Sequence, residues 1–182
     1  MTRARDLANI ADGDITGTLT LDGLTVAGNV SVDSGTIKLD GNYPTGTRNV
    51  ALGDEALIAT ESGSGYSVAV GTYSLRANTT GTHNSSVGYA SLDANTTGAG
   101  NTALGSFALS GNTTASNNTA VGYQSAFSAT TATGLVIVGR EAGKLITTGS
   151  ENTAVGYDAM QKTTTGASNV ALGFRSLFSN TT

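Results

Sequence analysis

The chain has 182 residues, of which 25 are Gly, 30 Thr and one Pro, with no Cys or Trp and a formal net charge of −4. Gly is about twice its usual share, and charged residues, at 12%, are about half of theirs. Leu, Ile, Val and Phe number 37, too few for the thick core of a globular enzyme of this length, while the low net charge separates the chain from highly charged disordered tails.

Residues 1–11 hold Arg3, Arg5 and Asp6, with Leu7 and Ile10 at helix-like spacing. So short a segment reads either as a docking peg or as a frayed terminus. Residues 12–41 follow a period of six: Asp12–Gly17, Thr18–Gly23, Leu24–Asn29, Val30–Gly35 and Thr36–Gly41. Apolar residues alternate inside these hexads, as in Leu19 and Leu21 or Val30 and Val32. Strands this short cannot bury an apolar face within one chain, but three chains winding together can. The other reading is a β-meander with Asp-Gly turns. Residues 42–48 form a turn and linker around Tyr43-Pro44-Thr45-Gly46.

From residue 49 a longer repeat takes over. Gly53, Gly71, Gly88, Gly105, Gly122, Gly139, Gly156 and Gly173 recur at an interval of 18 and then six intervals of 17. Positions are counted below from this glycine. Asn stands at −4 in six of the eight units, with Ser67 and Leu135 in the others, and Val or Leu always stands at −1. A Thr pair at +8 and +9 recurs from Thr79-Thr80 to Thr181-Thr182. The phrase around each glycine is short, β-branched and alternating, which predicts a strand. Alternation places −3 and −1 on one face. The Val70, Val87, Val121 and Val155 column is therefore expected to build a thin core with a second apolar position at +4 (Leu57, Leu75, Leu92, Leu109, Met160, Leu177). The opposite face carries Ala51, Ala69, Ala103, Ala120, Ala154 and Ala171, small enough for close backbone approach or a contact between chains. The Asn and Thr-Thr-Gly segments supply turn chemistry. The expected fold is all-β: a parallel β-solenoid of eight 17-residue coils over 49–182, each with two short strands and two turns. The last coil stops before its turn glycine, so 49–182 is expected to be the truncated, proximal part of a longer rod.

The repeated phrase Asn-x-Ala-Val/Leu-Gly, as in Asn101-Thr102-Ala103-Leu104-Gly105 and Asn152-Thr153-Ala154-Val155-Gly156, resembles the head repeats of YadA-type trimeric autotransporter adhesins. It is also similar to repeats of bacteriophage tail-fibre proteins, cyanophages included, and the hexads resemble triple-stranded β-helix or β-prism phage shafts. The resemblance implies a left-handed parallel β-roll, a homotrimer, and an adhesive or fibrous role. The function expected from it is that of a structural tail-fibre or appendage protein, not an enzyme. The chain would be made in the host cytoplasm and carried on the virion. Residues 1–11 (Arg3, Arg5, Asp6, Leu7, Ile10) would join a tail, baseplate or adaptor protein, and a distal part would meet a host-surface glycan or protein. The alternative is the head of a bacterial adhesin. An ice-binding solenoid is disfavoured, because adjacent Thr residues in a strand point opposite ways.

Little else carries chemistry. With no Cys and one His, His83, there is no thiolate site and no multi-histidine site in one chain. No cofactor or metal is expected: Asp12-Gly13-Asp14 lacks the downstream acid of a calcium loop, and Asp54-Glu55 reads as a solvated pair. No basic run suits nucleic acid. The longest strongly apolar run, Leu135–Val138, is far too short to insert in a membrane. Asn78 and Asn95 lie in sequons, which matter only in a secretory context. The sixth unit departs from the pattern at Leu135, Ile137 and Gly143, and Arg140-Glu141 adds charge, either as drift or as a changed trimer contact or lateral binding spot. Tyr89, Tyr123, Tyr157 and Phe174 follow the glycine, where they could bind sugar rings or cover the core edge.

Overall fold

The computed structural model describes residues 48–59 and 65–180, which belong to the second of two units of the chain, Lys38–Thr182. The expected attachment segment (Arg3, Arg5, Asp6, Leu7, Ile10) and the hexad shaft lie outside the described residues. What is described is all-β, a parallel β-solenoid. Eight three-residue strands follow one another: β1 (Val50–Leu52), β2 (Val68–Val70), β3 (Ser85–Val87), β4 (Thr102–Leu104), β5 (Thr119–Val121), β6 (Val136–Val138), β7 (Thr153–Val155) and β8 (Val170–Leu172). They form one parallel sheet in chain order.

The pairing register equals the sequence period. β4 sets Thr102, Ala103 and Leu104 against Thr119, Ala120 and Val121 of β5, and every other pair matches column to column in the same way. Seven steps at the usual strand spacing make a stack about 34 Å long.

Each coil has one strand, not the expected two. Its opposite wall is a double turn. Ala108 N–H donates to Gly105 O (3.1 Å) and Asn112 N–H to Leu109 O (3.0 Å), while Phe107 and Leu109 bond the neighbouring coils through Tyr89 O (2.9 Å) and Ser125 O (3.0 Å). This wall is left-handed at +2 and +4, as at Phe107 (φ +60°) and Leu109 (φ +50°). The corner at −5 is left-handed as well, as at His83 (φ +58°) and Asn117 (φ +61°). Such backbone excludes a second strand.

The core lies between the two walls, and its composition corrects the sequence expectation. Ala69, Ala103, Ala120 and Ala154 at the strand centre are fully buried, with Ala171 nearly so and Ala51 packed against them. They meet Leu57, Leu75, Leu92, Leu109 and Met160 coming from the opposite wall. The flanking Val and Leu column, expected inside, faces outward: Val87 and Leu104 are each 40% exposed. In a three-residue strand only the middle side chain points in. A coil one residue thick that already holds a Leu at +4 leaves room there only for a small side chain, Ala or, in β3, the fully buried Ser86.

The glycine at the strand end has two reasons to be glycine. Gly88 has φ +137°, and a Cβ there would lie 2.6 Å from the carbonyl carbon of Gly105 in the next coil. Neither the conformation nor the space admits a side chain.

The corners are closed by buried amides. Asn101 accepts at Oδ1 from Asn118 N–H (3.0 Å) and donates from Nδ2 to Ala115 O (2.9 Å). Asn84, Asn118 and Asn152 repeat the pattern. A second amide ladder runs at +7, where Asn112 donates to Asn95 and Asn95 to Asn78. From Thr79 to Thr147 the first Thr of the pair donates its hydroxyl to the same Thr carbonyl one coil on, as Thr96 does to Thr113 (3.0 Å).

Candidate interaction surface

With the corners closed by amides and the interior filled by small and apolar side chains and a buried chain of hydroxyls, Ser74, Ser86 and Ser91, the outward sheet face and its border are the candidate surface for a partner. The outward face presents the −3 and −1 columns of all eight strands. Twelve of these sixteen positions are Val or Leu, the others are Ser85, Thr102, Thr119 and Thr153, and none is charged. Val68, Val87, Leu104 and Val136 are exposed, and Val70, Val121, Val138 and Val155 are partly so. An all-parallel sheet normally has both faces covered, and an extended exposed apolar patch marks a contact surface.

An aromatic border follows the same edge. Tyr89, Tyr123 and Tyr157 stand at +1 in alternate coils, 46%, 44% and 44% exposed. Tyr73 and Phe107 stand at +2 in coils between and at the start. The rings meet edge to face, Tyr73 to Tyr89 at 5.6 Å, Tyr89 to Phe107 at 5.2 Å and Phe107 to Tyr123 at 6.4 Å. Sequence reasoning found the +1 tyrosines but missed Tyr73 and Phe107. The signal available was that +1 and +2 share one turn and alternate in carrying the ring.

Most charges lie on the double-turn wall, where they pair both across coils and within one. Arg76 reaches Asp93 at 2.9 Å and Glu55 at 4.0 Å while covering the Tyr73 ring. Arg140 pairs with Glu141 at 2.6 Å and donates to the Tyr157 hydroxyl at 2.6 Å. Glu141 also accepts from Lys144 (3.3 Å) and Gln161 (2.9 Å). The Asp54-Glu55 pair is exposed.

The remaining sequence features fall into place one by one. His83 is exposed and stacks on Tyr66, with ring centroids 4.9 Å apart and planes 8° from parallel. Asn78 and Asn95, two of the sequon asparagines, are fully buried with both amide atoms engaged, so neither offers a glycosylation acceptor in the folded stack. In the sixth coil Leu135, Ile137 and Ile146 are all fully buried, an exchange within the core, while Arg140 of the same coil is exposed. Among the described residues no group of three His, Asp or Glu side chains could hold a metal ion, and no helix is long and apolar enough to cross a membrane.

Comparison with known proteins adds no relative: no family model, curated protein or solved structure matches the chain.

Proposed function

We propose that the chain is a structural subunit of a homotrimeric bacteriophage tail fibre or appendage, anchored to the virion through residues 1–11, with its solenoid directed toward the host surface. The observation that carries the homotrimer is the uncharged outward sheet face, apolar at twelve of sixteen positions and running the length of the stack. Burying it returns roughly 25 cal/mol for each Å² removed from water. A second and a third copy of the same chain supply an identical face in the same register, as closed symmetry requires. The tail-fibre assignment is supported by the hexads and by the Asn-x-Ala-Val/Leu-Gly phrases, which resemble fibre shafts and fibre repeats. The host-facing role is supported by the exposed aromatic border.

Two experiments test the proposal. Light scattering of the purified chain yields three chains per particle, and a monodisperse monomer of full β content would refute the assembly. Deleting residues 1–11 abolishes incorporation into virions while trimers persist; incorporation at the normal level would rule out the anchor.

A further inference from the structure

The tyrosine border has a regularity that covering the core does not require. Tyr89, Tyr123 and Tyr157 occupy one position in every second coil and are equally exposed. Two coils advance about 10 Å at the usual strand spacing. The coils between them carry Ser106 and Arg140 at that same position. Along the stack the column therefore reads ring, hydroxyl, ring, guanidinium, ring.

Each ring is braced by its neighbours. Tyr89 rests between Tyr73 and Phe107. Tyr123 rests on Phe107 and is flanked by Arg140, 5.7 Å from its centroid. Tyr157 packs against Phe174 at 5.6 Å, with Arg140 over its ring at 5.2 Å and bonded to its hydroxyl. Braced rings lose little freedom when a ligand covers them.

We infer that this track binds an extended, neutral β-1,4-linked polysaccharide. In such a chain alternate sugars turn over, so the same C–H-rich face recurs every second residue, a repeat that matches two coils of the solenoid. Every second sugar lies on a tyrosine ring, and the sugars between meet Ser106 or Arg140. The polymer is neutral because the Arg140 charge is already answered by Glu141 at 2.6 Å. The inference deepens the reading of the chain as a host-directed fibre and rests on it for its biological setting.

The test is calorimetric titration of the full chain, in its native oligomeric state, with cellohexaose and with maltohexaose. The two probes share sugar and length, but only the first is extended. Cellohexaose binds saturably and at least tenfold more tightly than maltohexaose. Tyr123→Ala weakens it about tenfold, Tyr123→Phe keeps most of the affinity, and Thr97→Ala, at a corner away from the strand, leaves it unchanged. If Tyr123→Ala does not fold, Tyr89→Ser and Tyr157→Ser carry the same expectation. Absence of saturable cellohexaose binding, equal affinity for both probes, or full affinity in the tyrosine variants overturns the inference. So does a change in the number of chains per particle on removing a tyrosine, since the ring would then pack against another copy. A monomer that binds cellohexaose contradicts the fibre and leaves the track standing; a trimer that does not bind contradicts the track alone.

Discussion

Leu92 places a large side chain on a left-handed backbone, with φ +50° and no solvent exposure. That conformation costs about 1–2 kcal/mol for a residue with a Cβ, and a glycine would avoid it. Glycine would also empty the core, and removing a buried Leu side chain costs about 2–5 kcal/mol. The second term is larger, so the column keeps Leu. Leu92→Ala is expected to lower stability by about 3 kcal/mol in chemical denaturation, and Leu92→Gly also to destabilise despite its relaxed backbone. Where no core is at stake the balance reverses. Ser168 is exposed with φ +58°, in a corner column where Gly100 and Gly134 already occur. Ser168→Gly is expected to leave stability unchanged or raise it by up to about 1 kcal/mol, measured as the denaturation midpoint. These left-handed positions were not legible in the sequence. The usual markers of positive φ are Gly and Asn, and the +4 column shows Leu because packing overrides backbone preference. The Asn column was legible as corner chemistry, because a short amide that satisfies two backbone groups has few substitutes.

One strand, one double turn and two amide corners make a coil, and its period was plain from the spaced glycines. Which strand face is the inner one was not. Alternation separates two faces but does not label them, and the larger apolar residues suggested the wrong one. The label comes from the far wall, where Leu109 fills the interior and leaves the strand centre to Ala103. The sixth coil shows the same coupling by exchange. Ile137 replaces the strand Ala, and Gly143 replaces the +4 Leu. A Cβ at Gly143 would lie 2.9 Å from Ile146 Cδ1 and 3.2 Å from Ile137 Cδ1, so the volume has moved from one wall to the other. Leu135 and Ile146 replace both amides in the same coil. One coil earlier, in the fifth, Ala129 already stands where the ladder amide would donate, so the Asn112 side-chain oxygen has no partner. A double-mutant cycle measures the exchange. Gly143→Leu alone overpacks and Ile137→Ala alone leaves a cavity. The double variant is expected to recover much of the loss, giving a coupling of about 1–3 kcal/mol. Additive effects would mean that the two walls do not share this volume.

The stack as a whole is held by identical neighbour contacts, so its stability is expected to rise nearly linearly with coil number. Its rod-like character could be read from composition and period together, because scarce large apolar residues suit a core one coil thick. Its outward apolar face could not, because the larger apolar column reads from sequence as the inner one. Once β1 to β8 are built, that column becomes a sheet face with no charge to hold other copies off. The central claim is that this face is where copies of the chain meet. Light scattering on Val121→Asp beside the unaltered chain tests it most directly, since Val121 lies at mid-stack and points outward. The account predicts three chains per particle for the unaltered protein and one for Val121→Asp, with the far-ultraviolet β signal kept in both. Three chains in both, or one in both, would contradict it.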